Sequence, residues 1–593
     1  MKRFAAEVDS EGIVPISEHR SAKLSPMRGI PWRLLGAGAL TAFLLDLPFP
    51  LAGPLPVWRT TFAWFALVPL LVALLRFEAE TSGTRLRWRL GWSFLGGWWA
   101  GALWFGSNCY WVYNTMHLYG GMDKPMAVVC LVAFSLYLGF WFGVFGLALA
   151  VVRRATASGK FAWVALAVIP FLWTAMEFAL ARIPQFPWDQ LGYSQVDNVL
   201  LTRLAPWAGV YGISFVLAGV NALLTAALAG KRPDAKSRGV HFSVTNYCGG
   251  LGVVIAFVGG AGFLIHPQKP PAEATAVLVQ PNLDVDKDDV WVGPEWDRHI
   301  AQFGQLGTES CKSFLAGVPE TGAAVTVPEC VVPQPPPSLV VWPESPAPFR
   351  DADSRFQSAM MSIAVADKAP MIVGVIGMDE EPAAQKYQIY NSALVIEADG
   401  KSVGRYDKIH LVPFGEYVPF RKLLFFVRQI TQSLSDTSTG TDRKVFTVGG
   451  RRYGIFICYE SVFGDEVREF ARNGAEVLVN ISDDGWYGDT SAPWQHLNMA
   501  RMRAIENSRW ILRDTNNGVT ASIDPYGTVR QSIPRHQVDA LPAQFGYGSE
   551  LTFYTVHGDL LPALCAILSL ALLVWSGRKL LEEIASRAPV ELE

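Results

Sequence analysis

The chain has 593 residues, half of them hydrophobic and only 17% charged, with 21 Trp and apolar residues gathered into long runs. That composition excludes an ordinary soluble enzyme and predicts an integral membrane protein with one large polar insert. A formal net charge of -3 gives no basic surface for nucleic acid, so a nucleic-acid partner is excluded.

In chain order, residues 1–29 lack apolar periodicity and read as a mobile tail. Eight spans follow, at about 34–52, 60–76, 90–113, 126–152, 162–181, 205–229, 248–266 and 557–577, each long enough for a hydrocarbon core of about 30 Å. The first span is not a signal peptide, because a long polar stretch precedes it and another span follows at once. Basic residues resist translocation. The loops after spans two, four and six carry Arg76, Arg85, Arg87, Arg89, Arg153, Arg154, Lys160, Lys231, Arg232, Lys236 and Arg238; the loops after spans one, three and five carry only Arg59, Lys124, Arg182 and Arg203. The first set is therefore cytoplasmic. Both termini fall inside, and the segment 267–556 falls outside. Within the spans, Glu177 and Asn108 are candidates for interhelical hydrogen bonds, while Asp189 and Gln190 lie towards the outer side.

Inside the outer segment the rhythm changes to short apolar runs separated by polar helices. Strands are predicted at 276–280, 338–342, 371–375, 391–396, 452–457 and 475–480, and helices at 297–306, 353–367 and 494–507. Alternation of this kind predicts a layered α/β domain whose sheet is covered on both faces. Three chemically distinct groups stand at the ends of strand-like runs. Glu344 follows Leu339-Val340-Val341-Trp342-Pro343, Lys408 lies before Val412-Pro413-Phe414-Gly415-Glu416-Tyr417-Val418-Pro419, and Cys458 closes Gly454-Ile455-Phe456-Ile457. A thiol attacks a carbonyl only once deprotonated, so Cys458 needs a base, and Glu344 is that candidate. Lys408 supplies charge for an oxyanion together with the backbone N–H of Tyr459, and Glu416 is placed to hold the ammonium. Singly, each is more often a packed thiol, a turn residue or a surface ion pair. Their order and matching contexts favour the catalytic reading.

Trp342-Pro343-Glu344-Ser345, the Lys408 loop and Ile457-Cys458-Tyr459-Glu460-Ser461 resemble the Glu-Lys-Cys triad of the nitrilase, or carbon–nitrogen hydrolase, superfamily. Trp111-Val112-Tyr113, Phe186-Pro187-Trp188, Leu191-Gly192-Tyr193-Ser194-Gln195, Gly209-Val210-Tyr211-Gly212 and Asn480-Ile481-Ser482-Asp483-Asp484-Gly485-Trp486-Tyr487 resemble the apolipoprotein N-acyltransferase branch. The resemblance implies a helical membrane bundle of about eight spans carrying an α-β-β-α sandwich. The domains would be 1–29 cytoplasmic tail, 30–266 transmembrane helices one to seven, 267–556 periplasmic nitrilase-like catalytic domain, 557–577 helix eight and 578–593 cytoplasmic tail.

The implied reaction is ping-pong acyl transfer at the outer face of a bacterial inner membrane. An acyl chain of a phospholipid, typically phosphatidylethanolamine, would pass through a Cys458 thioester to the α-amine of a diacylglyceryl-cysteine on an apolipoprotein. No cofactor or metal is implied, and a monomer is expected. Glu460 and Asn480 would position Lys408 or the incoming amine. Trp291, Phe414, Tyr417, Trp486, Tyr487 and Trp494 are candidates for the acyl pocket or for plain core, and the aromatic stretch 414–429 for an arm in lipid or a buried helix. Cys311 and Cys330, the other cysteines of the outer segment, are expected to pair within an unusually long stretch before the Glu344 strand, leaving Cys458 free. The rival readings are a membrane-anchored amidase using water as acceptor and a transporter with an accessory domain, the latter disfavoured by the absence of a visible repeat.

Overall fold

The computed structural model describes the chain apart from residues 1–29, 82–84, 157–162, 230–248, 251–252, 254–269, 286–293, 309–335, 345–348, 382–385, 414, 418–436 and 587–593. All of the expected span at 248–266 except Gly249, Gly250 and Val253, together with Trp291, Phe414, the Cys311–Cys330 pair and nearly all of the 414–429 stretch, therefore lies outside the described residues.

The apolar runs form helices α1 (Trp32–Asp46), α2 (Val68–Glu80), α3 (Leu86–Asn108), α4 (Lys124–Ala155), α5 (Ile169–Arg182) and α6 (Ala205–Ala229). Among the described residues five helical stretches are long and apolar enough to cross a membrane: Val57–Glu80, Lys124–Ala155, Val164–Arg182, Leu201–Leu228 and Leu560–Ser586. The expected count of eight is thus not confirmed. α1 stops after 15 residues, where the prolines of Leu47-Pro48-Phe49-Pro50 cannot continue a helix, and α3 is diluted by Gly, Trp and Arg. α3 and α4 pack backbone to backbone. A Cβ on Gly97 would stand 2.3 Å from the Phe142 carbonyl oxygen, and one on Gly139 would stand 2.4 Å from the Ala102 nitrogen. Small residues are what permit helices to meet this closely in lipid.

The polar segment folds into two six-stranded sheets. The first has the order β12-β1-β2-β3-β4-β5, from β1 (Ala274–Gln280), β2 (Leu339–Val341), β3 (Met371–Glu381), β4 (Lys386–Ile396), β5 (Ser402–Asp407) and β12 (Asp539–Phe545). The second has the order β11-β10-β9-β8-β7-β6, from β6 (Val445–Val448), β7 (Arg451–Ile457), β8 (Val477–Ser482), β9 (Ile511–Thr515), β10 (Thr520–Ile523) and β11 (Val529–Ile533). One layer of side chains, including Leu278, Val341, Val395, Ile455 and Val479, fills the space between the sheets. The far face of the first sheet packs under helices α7 (Pro294–Thr308) and α8 (Ser354–Asp367), through Val340 and Val373 against Phe303, Phe356 and Met360. Helices α9 (Gly464–Arg472) and α10 (Ala492–Asn507) cover the second. The result is an α-β-β-α sandwich, and its central strands β2, β8 and β9 are buried along their whole length. Helix α11 (Leu560–Ser586) then returns to the membrane helices, packing against α4 and α5.

The two halves meet along a polar seam built on α10. Gln495 Nε2 donates to the Pro50 carbonyl (3.3 Å) and to the carbonyl and side-chain oxygens of Asn108 (3.1 Å each), while its Oε1 accepts from Trp188 Nε1 at 2.8 Å. Arg503 donates to the Tyr193 hydroxyl at 2.9 Å, and Glu506 accepts from the Val210 N–H at 2.8 Å. That N–H is free because α6 breaks at Gly209, whose φ is +61°. Asn108 also donates to Asp189 at 2.9 Å, and Glu177 accepts from Trp173 and from the Leu191 N–H. The expected interhelical bonds are met only in part: Asn108 is bound by Gln495 of α10 and donates to Asp189 in the loop after α5, whereas Glu177 accepts from Trp173 of its own helix and from the Leu191 N–H of that loop.

Candidate active site

Parallel pairing of β1, β2 and β3, followed by two antiparallel steps, makes β2 and β5 point the same way. Glu344, just past β2, and Lys408, just past β5, therefore emerge at the same edge of one sheet. Cys458 ends β7 in the facing sheet and opens the 3-10 turn Cys458–Val462. Its φ of +49° is left-handed, which for a residue with a side chain costs about 1–2 kcal/mol and turns the thiol sharply out of the strand. Glu344, Lys408 and Cys458 are only 7%, 1% and 5% exposed, so bulk water is excluded from all three.

Lys408 Nζ lies 3.0 Å from Glu344 Oε1 and 3.0 Å from Glu416 Oε1. Asn391, on β4, donates its one amide nitrogen to the same two oxygens, at 2.7 Å each. The second oxygen of Glu344 accepts from the Asp483 N–H at 2.8 Å, and that of Glu416 from the Val412 N–H at 2.7 Å. Each carboxylate is thus locked at both oxygens. Burial opposes the Lys408 charge, but the two glutamates outweigh it and hold the ammonium well above the ordinary lysine range. Burial, and after it the charge of Glu344, pushes the Cys458 thiol well above the ordinary cysteine range, with Lys408 pulling the other way. Cys458 is a free thiol. Such a thiol needs a base at the moment of attack, and a carboxylate beside it can serve. Asp483 is pushed up to about 8, first by burial and then by Glu344.

Glu460 joins the two sheets at this edge. Its carboxylate accepts from the Ile457 N–H at 2.6 Å on one side, and from the Ile409 N–H (2.6 Å) and Tyr406 hydroxyl (2.8 Å) on the other. It holds the turn bearing the thiol against the loop bearing Lys408, through backbone. Tyr459 directs its hydroxyl to the Gln185 carbonyl, 2.8 Å away in the membrane half. Asn480 is turned elsewhere: it donates to the Phe456 carbonyl at 3.2 Å and accepts from Arg513, within β7, β8 and β9 rather than at Lys408. The reason is that β8 is central, so its side chains are consumed by neighbouring strands. Tyr487 is buried against Trp111, Trp188 and His496. Trp486 is 47% exposed and meets Tyr119 edge to face. Tyr417 is half-buried in the Lys408 loop, and Trp494 packs against the core cluster of the sandwich from α10. Among the described residues no group of three His, Cys, Asp or Glu side chains could hold a metal ion.

Sequence reasoning passed over Asn391 and the buried set His496, Asp484 and Arg513. Asn391 carried a usable signal, since Asn is depleted in strands and here opens the strand-like run Asn391-Ser392-Ala393-Leu394-Val395-Ile396.

Residues 308–538 match the family model described as carbon-nitrogen hydrolase, and residues 41–223 match that of the apolipoprotein N-acyltransferase N-terminal domain. A Geobacter metallireducens protein named apolipoprotein N-acyltransferase is 32% identical over 552 residues, covering 92% of this chain and 96% of its own. A Pseudomonas putida protein of the same name is 31% identical over 530 residues, covering 89% and 93%. Among solved structures, Saccharomyces cerevisiae Nit3 of the nitrilase superfamily aligns at 15% identity and a TM-score of 0.33, covering 50% of this chain and 97% of its own. An amidase from Nesterenkonia sp. aligns at 14% and 0.33, covering 49% and 97%. With near-complete coverage by such relatives, and a sandwich carrying thiol, amine and carboxylates at one edge beside membrane helices, the chain belongs to the apolipoprotein N-acyltransferase family.

Proposed function

We propose that the protein transfers an acyl chain from a phospholipid to the N-terminal α-amine of a diacylglyceryl-cysteine apolipoprotein, through a thioester on Cys458. The observation that carries this is the closed cluster of Glu344, Lys408 and Glu416 at the strand edge that also bears a free, buried thiol. In the first step Glu344 takes the thiol proton as Sγ attacks the ester carbonyl, and Lys408 with the Tyr459 N–H receives the oxyanion. Collapse breaks the ester C–O bond, and the proton held by Glu344 passes to the departing lysophospholipid. In the second step Glu344 takes a proton from the attacking amine, the C–S bond breaks, and Cys458 recovers its proton as an amide forms.

Phosphatidylethanolamine is the proposed donor, the outer face of a bacterial inner membrane the proposed location, and 267–556 the proposed catalytic domain, with both termini inside. A monomer suffices. Burial keeps water from the thioester, which favours transfer over hydrolysis. To test this, purified protein is incubated with radiolabelled phosphatidylethanolamine and then with a diacylglyceryl-cysteine peptide. The expected result is a hydroxylamine-labile acyl adduct that moves to the peptide and is absent in Cys458→Ala. An adduct that persists in Cys458→Ala sinks the thioester, and release of free fatty acid without peptide acylation favours the amidase-type hydrolase.

A further inference from the structure

A buried histidine that the proposed triad does not use lies directly behind the thiol. His496, on α10, has no exposed surface. Its Nε2 is 3.0 Å from the backbone carbonyl oxygen of Cys458, and its Nδ1 is 2.9 Å from Asp484 Oδ1. A carbonyl can only accept, so Nε2 carries hydrogen and donates. Asp484 is itself held by Arg513 at 2.8 Å and by the Ser482 hydroxyl at 3.0 Å. The imidazole face lies on the Trp188 indole, at 6.0 Å between centroids and 17° between planes. The ring is therefore fixed at both nitrogens and on one face.

The atom it grips matters because a peptide unit is rigid and planar. The carbonyl of Cys458 and the N–H of Tyr459 belong to one plane and point in opposite directions. Whatever fixes the carbonyl fixes the N–H, and also limits the rotation that sets the left-handed conformation of Cys458. We infer that His496 is a positioning residue: by holding the Cys458 carbonyl it aims the Tyr459 N–H at the developing oxyanion and the thiol at the ester carbon. This rests on the reading of Cys458 as the nucleophile and of the Tyr459 N–H as an oxyanion donor. It also gives a link to the bilayer. The preceding residue, Gln495, binds the same Trp188 and the ends of membrane helices, so the peptide of the nucleophile is referenced to the membrane half through two adjacent side chains.

The test is single-turnover acylation of the full-length protein by phosphatidylethanolamine in mixed micelles, following hydroxylamine-labile label on Cys458. In His496→Gln the amide nitrogen reaches roughly the place of Nε2 and keeps the donor; in His496→Asn the shorter amide cannot reach the Cys458 carbonyl. The expected result is an acylation rate constant about a hundredfold lower in His496→Asn at saturating phospholipid, with half-saturation unchanged, and recovery to within about tenfold of wild type in His496→Gln. Equal rates for His496→Asn and wild type, or His496→Gln as slow as His496→Asn, overturn the inference while leaving the thioester intact. Wild-type protein that gives no labile adduct overturns the underlying reading instead. If His496→Asn does not accumulate folded, Asp484→Asn loosens the ring from its other nitrogen; an acylation rate reduced about tenfold supports the inference, and an unchanged rate overturns it.

Discussion

Asn391 serves two carboxylates from a single amide nitrogen, so its loss is felt twice. In Asn391→Leu, Glu344 and Glu416 keep only Lys408 at those oxygens, and each lost hydrogen bond to a charged acceptor costs about 1.5–3 kcal/mol. The acylation rate should fall about tenfold to a hundredfold, read as turnover with phosphatidylethanolamine, with little change in chromatographic behaviour. Removing the cation is harsher. Lys408→Met strands two buried carboxylates, and the expected loss is about 3–5 kcal/mol, visible as a lower unfolding temperature and partly relieved by adding Glu344→Gln. The thiol gives a test of opposite sign. Because burial and then Glu344 raise its pKa, alkylation of Cys458 by iodoacetamide should be slow at pH 7 and still climbing at pH 9. Glu344→Gln removes the negative charge, so the pKa falls and alkylation at pH 8 becomes faster, although acyl transfer stops. Alkylation slowed by that variant would contradict the electrostatics. Cys458 and Glu344 were legible because each closes an apolar run, and Lys408 because its loop is too rich in Pro, Gly and aromatics for a solvated turn. His496 was not, since a polar residue on a helix looks alike whether it faces water or the back of another strand.

Elements whose apolar runs are unbroken were readable in the sequence, and those built from mixed residues were not. β2, β3, β7 and β8 lie where Val, Ile and Leu cluster. β9 reads Ile-Leu-Arg-Asp-Thr and β11 reads Val-Arg-Gln-Ser-Ile, yet β9 pairs with β8 and β10, and β11 pairs with β10 through a bulge, because neighbouring strands satisfy what propensity alone disfavours. The second sheet was invisible for a related reason: periodicity reports burial, and one buried sheet face resembles another. The break in α6 is likewise a tertiary device. A Cβ on Gly209 would stand 2.6 Å from the Tyr554 ring, at a φ of +61°. Gly209→Ala should therefore destabilise by more than the roughly 1–2 kcal/mol of the backbone alone, measured by thermal unfolding in detergent.

At the scale of the whole molecule, the two halves are bonded at several separate points rather than joined by a single linker. Arg182, at the end of α5, pairs with Asp465 at the start of α9 and, at 2.6 Å, with Asp559 just before α11. The guanidinium is partly exposed, so the pairs themselves contribute at most about 1 kcal/mol. Arg182→Ala should leave global unfolding nearly unchanged and instead raise hydrogen exchange at the starts of α9 and α11, since Asp465 and Asp559 then face each other uncompensated. The seam along α10 has a further meaning. Gln495, Arg503 and Glu506 lie on one helix and each holds a different piece of the membrane half, so the sandwich cannot tilt or rise on them as a hinged lid would. With Cys458 as the proposed nucleophile, its sulfur is held at a set height above the membrane helices, and that proposal predicts selection by depth: a carbonyl or amine should react when its own anchor brings it to that level.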